Sequence, residues 1–369
     1  MLIHSDCRHF RGDRPCHHHK DTGAHCDGCD HYEPVRFRIL IIKLDATGDV
    51  LRTTSILHGL KEKYPSSHIT WLTMKESLDL FLQNPYVDTL LDYSAESFLR
   101  LGVEAYDLVI NLDASPRSAM LAEHARGKEK LGFGYHTRGY VYPFNEEARR
   151  WFEMGIFDDV KRANTMTYQE IALDICRLKH GRYDIVLNLS LEEKGFAAGF
   201  ARRMNLPEGR PVIGLNTGAG GRWKKKKWTI EGYLDLIGLL AQETAPTILL
   251  YGGPLEKERN RFLMEKSRYP LIDTGCGNSL RQFISLVDLS DIVVTSDSLA
   301  LHIAAGLGKK VVALFGPTSS VEIDLYGRGA KVSSDLPCLS CYRHDCEIRP
   351  DCMESISAAM VMTAIKGLL

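Results

Sequence analysis

The sequence predicts an α/β protein in which two parallel, helix-covered sheets follow one another along the chain. Strand-like and helix-like stretches alternate from Arg36 onward, and the same alternation starts afresh at Pro211. The first strand, RFRILIIKL at residues 36–44, is a largely apolar run, as strands covered on both faces are. Because alternation with short links favours a parallel sheet, the two series predict two Rossmann-like domains facing a cleft.

The first series continues with a helix over about residues 50–63, in which Val50, Thr54, Leu57 and Leu60 share one face. Three more strands are predicted at HITWLTM (68–74), YVDTLLDY (86–93) and YDLVINL (106–112), the last leading into a helix near Ser115. Residues 145–205 have a mostly helical pattern, with one weak strand pattern in DIVLNLSL (184–191).

The second series has the same form. Its strands are predicted at RPVIGLNTG (210–218), APTILLYGG (245–253), SDIVVTS (290–296) and KKVVALFGP (309–317), and its helices at 228–242, 255–266 and 297–308. The restart near residue 211 sets the domain boundary. The predicted units are a Cys/His-rich knuckle (1–34), an N-terminal Rossmann-like domain with a helical linker (35–207), a C-terminal Rossmann-like domain (208–335), and a cysteine cluster with a final helix (336–369, the helix over 353–369).

The bulk composition is that of a globular protein, with 44% hydrophobic and 25% charged residues. A formal net charge of -1 gives no support to a nucleic-acid partner. No uncharged apolar run approaches the length of a transmembrane helix, and the N-terminal residues lack the apolar core of a signal peptide. We therefore expect a cytoplasmic protein.

The turn after the first strand, LDATGD, holds a single glycine, Gly48, followed at once by Asp49. Dinucleotide-binding folds place three glycines at such a turn, because the backbone lies against a pyrophosphate. A carboxylate there repels phosphate but can take a proton from an acceptor hydroxyl as a general base. The alternative is an acid in the first helical turn that complements the helix dipole, and spacing alone leaves both interpretations open. The absence of G-x-G-x-x-G after either first strand argues against a nicotinamide-dependent oxidoreductase.

A glycine- and lysine-rich loop, GAGGRWKKKKW at residues 218–228, follows the first strand of the second series. Glycine amides and lysine charges suit an anion. A solvated loop is the commoner fate of a lysine run, and four consecutive lysines cannot all point into one site. We expect one or two of them to reach a ligand.

Two further turns of the second series carry acids. YGGPLEKER (251–259) opens a helix with glutamates, which either complement the dipole or bind a ribose. TSDSLALHIAAGLGKK (295–310) delivers Ser296, Asp297 and Ser298 to a helix whose N-terminus suits a diphosphate. Asp297 is expected on sugar or ribose hydroxyls, and the plainer interpretation is a helix N-cap. His302, one turn further on, is interpreted as a structural core histidine.

Taken in this order, ILIIKLDATGDVLRT (39–53), GAGGRWKKKKW, LLYGGPLEKER (249–259) and TSDSLALHIAAGLGKKVVALFGPT (295–318) resemble glycosyltransferase family 9, the ADP-heptose heptosyltransferases of bacterial lipopolysaccharide synthesis. Each stretch alone is weak, and together they are specific. The resemblance covers the chain from residue 36 to residue 369. It implies a GT-B fold and an inverting transfer of heptose from ADP-heptose, by a mechanism that needs no divalent ion.

The resemblance also implies roles for individual residues. Asp49 is the base, with Lys43 and Gly48 on the acceptor side. Lys226 or Lys227 contacts the donor phosphates. The full set of implied donor- and phosphate-binding residues, with Asp297 on the donor sugar and Glu256 or Glu258 beside the adenosine, is Thr217, Gly218, Gly220, Lys226, Lys227, Glu256, Glu258, Ser296, Asp297 and Ser298.

Eight of the ten cysteines fall in two clusters. Cys338, Cys341, Cys346 and Cys352 are close enough in sequence to suit a structural zinc or iron site, and reduced thiols packed around a loop are the alternative. Protein-modifying heptosyltransferases carry a related iron-binding finger, which gives weight to iron. A second site is expected from the remaining four, with histidines as alternative ligands: Cys7, Cys16, Cys26 and Cys29. We expect neither site to be catalytic.

The partners implied by the resemblance are ADP-heptose and a lipopolysaccharide-core glycan, which would bring the chain to the inner face of the membrane. Another nucleotide sugar or a protein acceptor stays open, with the N-terminal knuckle as a candidate adaptor. A different class of function is a metal-finger scaffold that keeps the fold without turnover. The intact Asp49, basic loop and Asp297 argue against that scaffold.

Overall fold

The computed structural model describes residues 2–221 and 224–369, and within them the chain forms two six-stranded sheets in succession. The first comprises β1 (Phe37–Ile42), β2 (Ser67–Thr73), β3 (Thr89–Asp92), β4 (Ala105–Asn111), β5 (Arg126–His136) and β6 (Tyr140–Pro143). Their order across the sheet is β3-β2-β1-β4-β5-β6. Every pairing is parallel except that of β5 with β6.

Short helices precede, connect and follow these strands. Before and within the first sheet they are α1 (His17–Thr22), α2 (Thr47–Thr53), α3 (Ile56–Lys63), α4 (Ala95–Val103) and α5 (Pro116–His124), with a 3-10 helix at Lys75–Phe81. The segment after the sheet contains a 3-10 helix at Glu146–Ala148 and then α6 (Arg149–Ile156), α7 (Asp158–Arg162), α8 (Tyr168–Ile175) and α9 (Leu191–Arg203). This segment is mostly helical, as its sequence pattern predicts.

The second sheet comprises β7 (Val212–Asn216), β8 (Thr247–Tyr251), β9 (Ile272–Asp273), β10 (Ile292–Ser296), β11 (Lys310–Phe315) and β12 (Gly329–Ser333), in the order β12-β11-β10-β7-β8-β9 and parallel throughout. Its helices are α10 (Ile230–Glu243), α11 (Lys257–Lys266), α12 (Leu280–Val287), α13 (Leu299–Gly306) and α14 (Ala358–Lys366), with 3-10 turns at Lys224–Lys226 and Pro254–Glu256. The predicted α/β class with two parallel-sheet units is confirmed.

The first strand of each series lies in the middle of its sheet. In β1, residues Ile39 to Ile42 are fully buried, and Ile39 is in register with Ile69 of β2 and Leu108 of β4. Strand β7 lies between β10 and β8. The turns at the carboxyl ends of β1, β7 and β10 therefore lie over the centres of the sheets, where open α/β sheets bind their ligands.

The helix predicted over residues 50–63 is two helices, α2 and α3, and it begins earlier, at Thr47. Three successive hydroxyl side chains lie at the break and bond to backbone carbonyls of the preceding turn: Thr53 to Asp49 (2.6 Å), Thr54 to Leu51 (2.7 Å) and Ser55 to Arg52 (3.0 Å). Such bonds compete with the helix ladder and bend it. The Thr54 hydroxyl also accepts from the backbone N–H of Val186 at 2.9 Å, so the break anchors the returning chain.

Other predicted boundaries also shift. The strand expected over residues 86–93 is confined to Thr89–Asp92, because Asn84 closes a turn by accepting from the N–H of Tyr86 at 3.0 Å. The segment 184–189 forms neither helix nor strand, although Ile185, Val186 and Leu187 are buried. The final helix begins at Ala358, where the Ser357 hydroxyl caps it, five residues after the predicted start at residue 353.

The N-terminal knuckle differs from the rest of the chain, because none of residues 2–34 is buried. Arg8 attaches it to the first sheet through an ion pair with Asp88 and a 2.9 Å hydrogen bond to the carbonyl of Ser67. A backbone bridge between Cys7 and Pro34 closes it. Throughout the described ranges, no helix is long and apolar enough to span a membrane.

Candidate active site

A buried ion pair between Lys43 and Asp113 holds the turn after β1 in place. Lys43 is 4% exposed and pairs with Asp113, which follows β4, and Asp113 also accepts from the backbone N–H of Leu44 at 2.5 Å. Burial disfavours the charged lysine, but the neighbouring Asp113 outweighs it and raises the pKa of Lys43 above its usual value. Lys43 therefore fixes the turn that presents Asp49.

Asp49 occupies the first turn of α2 and is bound by a cation of the same helix. Its carboxylate lies 2.8 Å from Nη2 of Arg52, and the Arg52 guanidinium stacks over the ring of Tyr168 at 3.8 Å. The carboxylate also faces the backbone N–H of Ala46 at 3.5 Å, the arrangement of a helix-start acid. Its side chain is 38% exposed, so it faces open space as well as its partner.

The charges around Asp49 favour its ionised form. Burial alone would raise its pKa, but Arg52 and then Lys43 outweigh burial and lower the pKa to about 2. His302, the next contributor, is itself a neutral imidazole at neutral pH, because burial and the charge of Arg52 lower its pKa to about 4. Asp49 is therefore a carboxylate able to accept a proton over the whole physiological pH range.

A second acid stands at the carboxyl end of a central strand of the second sheet. Asp297 follows β10, and its carboxylate binds Nζ of Lys226 at 2.7 Å. Burial opposes ionisation, but the charge of Lys226 outweighs it and lowers the pKa of Asp297 below its usual value. Lys226 also contacts the Asp297 carbonyl at 3.3 Å, so the basic loop is tied to the start of α13.

The N-terminus of α13 keeps its amide groups free of a side-chain cap. Ser298 is the N-cap residue, yet its hydroxyl makes no capping bond. Instead, it lies 2.9 Å from the Thr295 hydroxyl and accepts from the Asn216 amide at 3.2 Å. Uncapped N–H groups at a helix start are a site for phosphate.

Both acids line one cavity of about 570 Å³ between the two sheets. The walls include Gly48, Asp49 and Arg52 from the first unit and Lys226, Asp297 and His302 from the second. Helices α2 and α13 approach closely here, since a Cβ at Gly48 would lie 2.9 Å from Cδ2 of His302. Gly48 thus allows the two units to meet around the cavity.

A second cavity, of about 240 Å³, adjoins the first and shares Gly220, Ser298 and Leu299 with it. Glu256 lies in its wall, 5% exposed, and binds Nζ of Lys227 at 2.7 Å. The cavity is also lined by the aromatic ring of Phe283. The smaller cavity therefore combines a buried acid with an aromatic residue.

The family is decided by comparison with known proteins. A model of glycosyltransferase family 9 (heptosyltransferase) matches residues 96–350. This chain belongs to glycosyltransferase family 9. It is similar to the lipopolysaccharide core heptosyltransferase OpsX of Haemophilus influenzae, with 24% identity over 331 residues, 81% of this chain and 89% of that protein.

Two solved structures share the fold of this family 9 enzyme. One is a glycosyl transferase family 9 protein from Veillonella parvula, with a TM-score of 0.72 and 19% identity over 91% of this chain and 98% of the other. The other is the ADP-heptose lipopolysaccharide heptosyltransferase II of E. coli, with a TM-score of 0.65 and 21% identity over 90% and 98%. The predicted family, the GT-B fold and the assignment as a glycosyltransferase are confirmed.

Some of the site residues predicted from the sequence of this family 9 enzyme line the two cavities, and the others are buried behind the cavity walls. Gly48, Asp49, Gly218, Gly220, Lys226, Glu256, Asp297 and Ser298 line the two cavities, with Lys227 bound to Glu256. Lys43, Thr217 and Ser296 are buried behind these walls. Thr217, for instance, donates to Asn260 at 2.5 Å. Glu258 is exposed and pairs with Arg261, so of the two candidate glutamates only Glu256 lines the smaller cavity.

Consecutive lysines of the run point in different directions and bind different acids. Lys225 binds Asp351, Lys226 binds Asp297 and Lys227 binds Glu256. Arg222 and Trp223 of the predicted anion-binding loop lie outside the described residues, as does the side chain of Lys224.

Several cavity residues carry no sequence signal. His302, interpreted from sequence as a core histidine, is indeed buried at 5% exposure, but it also lines the main cavity. Arg52, Trp151 and Tyr342 line the same wall. Among these residues, only Arg52 has a signal in the sequence: it lies three residues after Asp49, a spacing that allows an ion pair on one face of a helix.

The four C-terminal thiols lie along the loop that carries Tyr342 into the cavity. Backbone bonds from Ser340 to Gly316 (3.1 Å) and Tyr342 to Pro317 (2.8 Å) hold this loop. Burial, Asp351 and the three other thiols raise the pKa of Cys352 to about 11. Within residues 2–221 and 224–369, however, neither cysteine set brings three ligand atoms within 4.8 Å of one another; the group that does is His9, His17 and His18.

Proposed function

We propose that this chain transfers heptose from ADP-heptose to a hydroxyl of a lipopolysaccharide-core glycan, with inversion at the anomeric carbon. One observation carries the proposal: Asp49 of the first unit and the Asp297–Lys226 pair of the second line the same cavity. A base and a leaving-group site that face each other across a cleft suit in-line displacement. Membership of the heptosyltransferase family points to heptose as the sugar.

The donor lies along the second unit. Its diphosphate meets the uncapped start of α13 and the ammonium of Lys226, both of which favour negative charge. Its adenosine enters the smaller cavity, where Glu256 accepts from ribose hydroxyls. Asp297 is close enough to Lys226 to orient its ammonium group. Because Asp297 also lines the cavity, its carboxylate can bind a sugar hydroxyl of the donor.

The acceptor lies along the first unit, with its hydroxyl at Asp49. That hydroxyl loses its proton to the carboxylate as the new bond from its oxygen to the anomeric carbon forms. The bond from the anomeric carbon to the phosphate oxygen breaks, and ADP departs with the electron pair. Lys226 and α13 stabilise the charge that develops on the phosphate.

The low pKa of Asp49 sets a condition on this step. A carboxylate with a pKa of about 2 holds a proton weakly, so its proton affinity has to rise when the substrates bind. Displacement of water by the two substrates acts in that direction, because desolvation disfavours the charged carboxylate. The ion pair with Arg52 opposes it, and this makes Arg52 a positioning residue whose removal changes the pH profile.

The domain assignment follows from the same proposal. Residues 35–207 form the acceptor-binding unit with its helical linker, and residues 208–335 form the nucleotide-sugar-binding unit. The knuckle (1–34) and the cysteine cluster with its helix (336–369) are additions at either end. With a glycolipid acceptor, the enzyme works in the cytoplasm at the inner face of the membrane. A protein acceptor is the alternative.

The C-terminal thiols complete the proposal. Cys338, Cys341, Cys346 and Cys352, all among the described residues, do not bring three sulfurs within 4.8 Å of one another, and a structural zinc or iron ion would draw them together and fix the loop carrying Tyr342. Thiolates are the ligands that both metals accept, and Cys352 lies against the Gly316 turn, where a Cβ would meet its sulfur at 2.6 Å. Metal analysis of the full chain beside Cys338→Ser/Cys341→Ser tests this: the variant should lose one equivalent.

Isothermal titration with ADP-heptose, GDP-mannose and UDP-glucose tests the donor. The unmodified chain should bind ADP-heptose selectively, and Asp297→Ala should lose that binding. Selective binding of another nucleotide sugar would overturn the heptose assignment and keep the fold and mechanism. A transfer assay with a core-glycan acceptor and with acceptor protein then separates the two acceptor classes.

A further inference from the structure

The N-terminal knuckle gathers four imidazole rings on one side. The ring of His18 lies 3.8 Å from that of His17, 4.6 Å from that of His9 and 3.9 Å from that of His31, measured between centroids. His9, His17 and His18 each offer a nitrogen within 4.8 Å of the other two. Three imidazole nitrogens at this spacing fit around one divalent transition-metal ion.

The run of three histidines is divided by the local backbone. Cys16 begins α1 by accepting from the backbone N–H of His19 at 3.5 Å, so its sulfur caps the helix. His19 turns to the other side and bonds the carbonyl of Ala24 at 3.0 Å. His17 and His18 remain on the side that faces His9, so the fold brings a histidine from eight residues earlier to this adjacent pair.

His9 is positioned by the anchor of the knuckle. Its neighbour Arg8 pairs with Glu33 at 2.7 Å and with Asp88 of the first domain, and the backbone N–H of Arg8 bonds the Glu33 carbonyl at 2.8 Å. Glu33 also approaches Nε2 of His9 at 3.5 Å. The histidine on the anchored side thus faces the two histidines on α1.

Within residues 2–34, neither apolar burial nor a disulfide holds α1 in place. None of residues 2–34 is buried, so apolar burial contributes little to its folded form. Segments of this size depend on disulfides, metals or partners for stability, and all four of its cysteines are free. A metal held by His9 and by α1 would close the chain between them, and binding would supply folding free energy.

We infer that His9, His17 and His18 bind a divalent transition-metal ion, with zinc as the representative probe, and that this ion fixes the knuckle against the first domain. The inference replaces the thiol set as the ligand group of the knuckle and is independent of the proposed function. His17, the exposed member, leaves the site open to solvent on one side.

The test uses full-length, metal-free protein under reducing conditions, titrated with zinc chloride and followed by calorimetry. His17→Ala is the main variant, because removal of an exposed side chain leaves the fold intact. It should weaken one class of zinc sites by more than about tenfold, since even loss of a group that only orients a ligand costs about 10–100-fold. His25→Ala, which removes an exposed imidazole outside the cluster, should change nothing.

A second pair of variants distinguishes imidazole from thiolate ligands. Cys26→Ser/Cys29→Ser should keep the class of zinc sites that His17→Ala weakens. Loss of that class in the cysteine variant, or unchanged zinc affinity in His17→Ala, would overturn the assignment. Equal weakening in His17→Ala and His25→Ala would show adventitious binding by any knuckle histidine and would overturn it as well.

Limited proteolysis gives a readout that involves no activity. Zinc should slow cleavage within residues 10–16, the loop between the proposed ligands, in the unmodified chain and in His25→Ala. The protection should be absent in His17→Ala. Protection that survives in His17→Ala would contradict the proposed closure.

Discussion

Asp49 and Asp297 both lie where a buried strand leads into a helix, after β1 and β10 respectively, and they are held in different ways. Each follows a buried strand at the start of a helix, and each has a lowered pKa because a cation outweighs burial. The cation at Asp49 comes from its own helix, three residues away. The cation at Asp297 comes from the distant basic loop.

This difference matches two kinds of work. The Asp49–Arg52 pair forms within one helix and can tune a carboxylate without any substrate. The Asp297–Lys226 pair joins two segments that both line the main cavity, where the proposed donor binds between or beside them. In the proposed mechanism, similar local sequence patterns thus serve proton transfer in one unit and donor binding in the other.

The largest expected effect is on Asp49. Asp49→Asn should lower kcat by about 10²–10⁴-fold, because the amide cannot accept the acceptor proton. The rate of heptose transfer from ADP-heptose to a core glycan, monitored as the release of ADP, measures kcat. Asp45→Asn is the matched control, since Asp45 is an exposed acid of the same turn and should leave kcat unchanged. A kcat near that of the unmodified enzyme in Asp49→Asn would contradict the base assignment.

A smaller loss is expected at the basic loop. Lys226→Met should weaken ADP binding by roughly 10–100-fold, because a hydrogen bond to a charged group contributes about 1.5–3 kcal/mol. Calorimetric titration with ADP measures the affinity. Lys225→Met removes a neighbouring charge that binds Asp351 instead and should leave ADP affinity unchanged. Equal effects in the two variants would mean that the loop acts only through its net charge.

Arg52 should control the pH profile. Activity requires ionised Asp49, so kcat/KM falls as pH drops through the pKa of that carboxyl. Arg52→Gln removes the main charge that lowers this pKa, which should rise from about 2 towards the usual value of about 4. The variant should therefore lose activity at a higher pH than the unmodified enzyme.

A kcat/KM profile down to about pH 4, with the folded fraction checked by circular dichroism, measures the shift. Arg100→Gln is the control, because Arg100 makes a comparable helical ion pair with Glu104, outside the residues that line the cavities. If the fall of kcat/KM at low pH occurs at the same pH in Arg52→Gln as in the unmodified enzyme, Arg52 does not set the pKa of the base.

The smallest effect is expected at the adenosine end. Glu256→Gln should weaken ADP binding by about 3–10-fold, since the amide is a poorer acceptor for ribose hydroxyls than the carboxylate. Glu258→Gln, two residues away and exposed, should bind ADP as the unmodified enzyme does. Competition of the variants for a labelled ADP analogue measures both. Reversal of the two results would place the ribose on the other glutamate.

The architecture can be predicted from the sequence because the same local pattern, an apolar strand followed by a helix, recurs along the chain. Apolar strands such as β1 and β7, each followed by an amphipathic helix, mark both sheets without knowledge of long-range contacts. The break between α2 and α3 is harder to predict, since it depends on which carbonyls the hydroxyls of Thr53, Thr54 and Ser55 bond. Propensity alone does not decide between a bent and a broken helix.

The site is predicted in part for the same reason. Asp49 and Asp297 stand at strand ends, which sequence patterns locate. The choice of Glu256 over Glu258 depends on which face of a short helix turns inward. His302 shows the limit most clearly, because a single histidine among small residues looks like core until α2 is packed against α13.

The most direct measurement is the affinity of Asp49→Asn for ADP-heptose beside that of Asp297→Asn, by calorimetric titration. In the proposed mechanism Asp49 serves the acceptor, so Asp49→Asn should bind the donor within about threefold of the unmodified enzyme, a difference below 1 kcal/mol. Asp297 serves the donor in the same mechanism, so Asp297→Asn should lose more than about tenfold in donor affinity, or 1.4 kcal/mol. Equal losses in both variants, or a loss in Asp49→Asn alone, would contradict the division of work between the two acids.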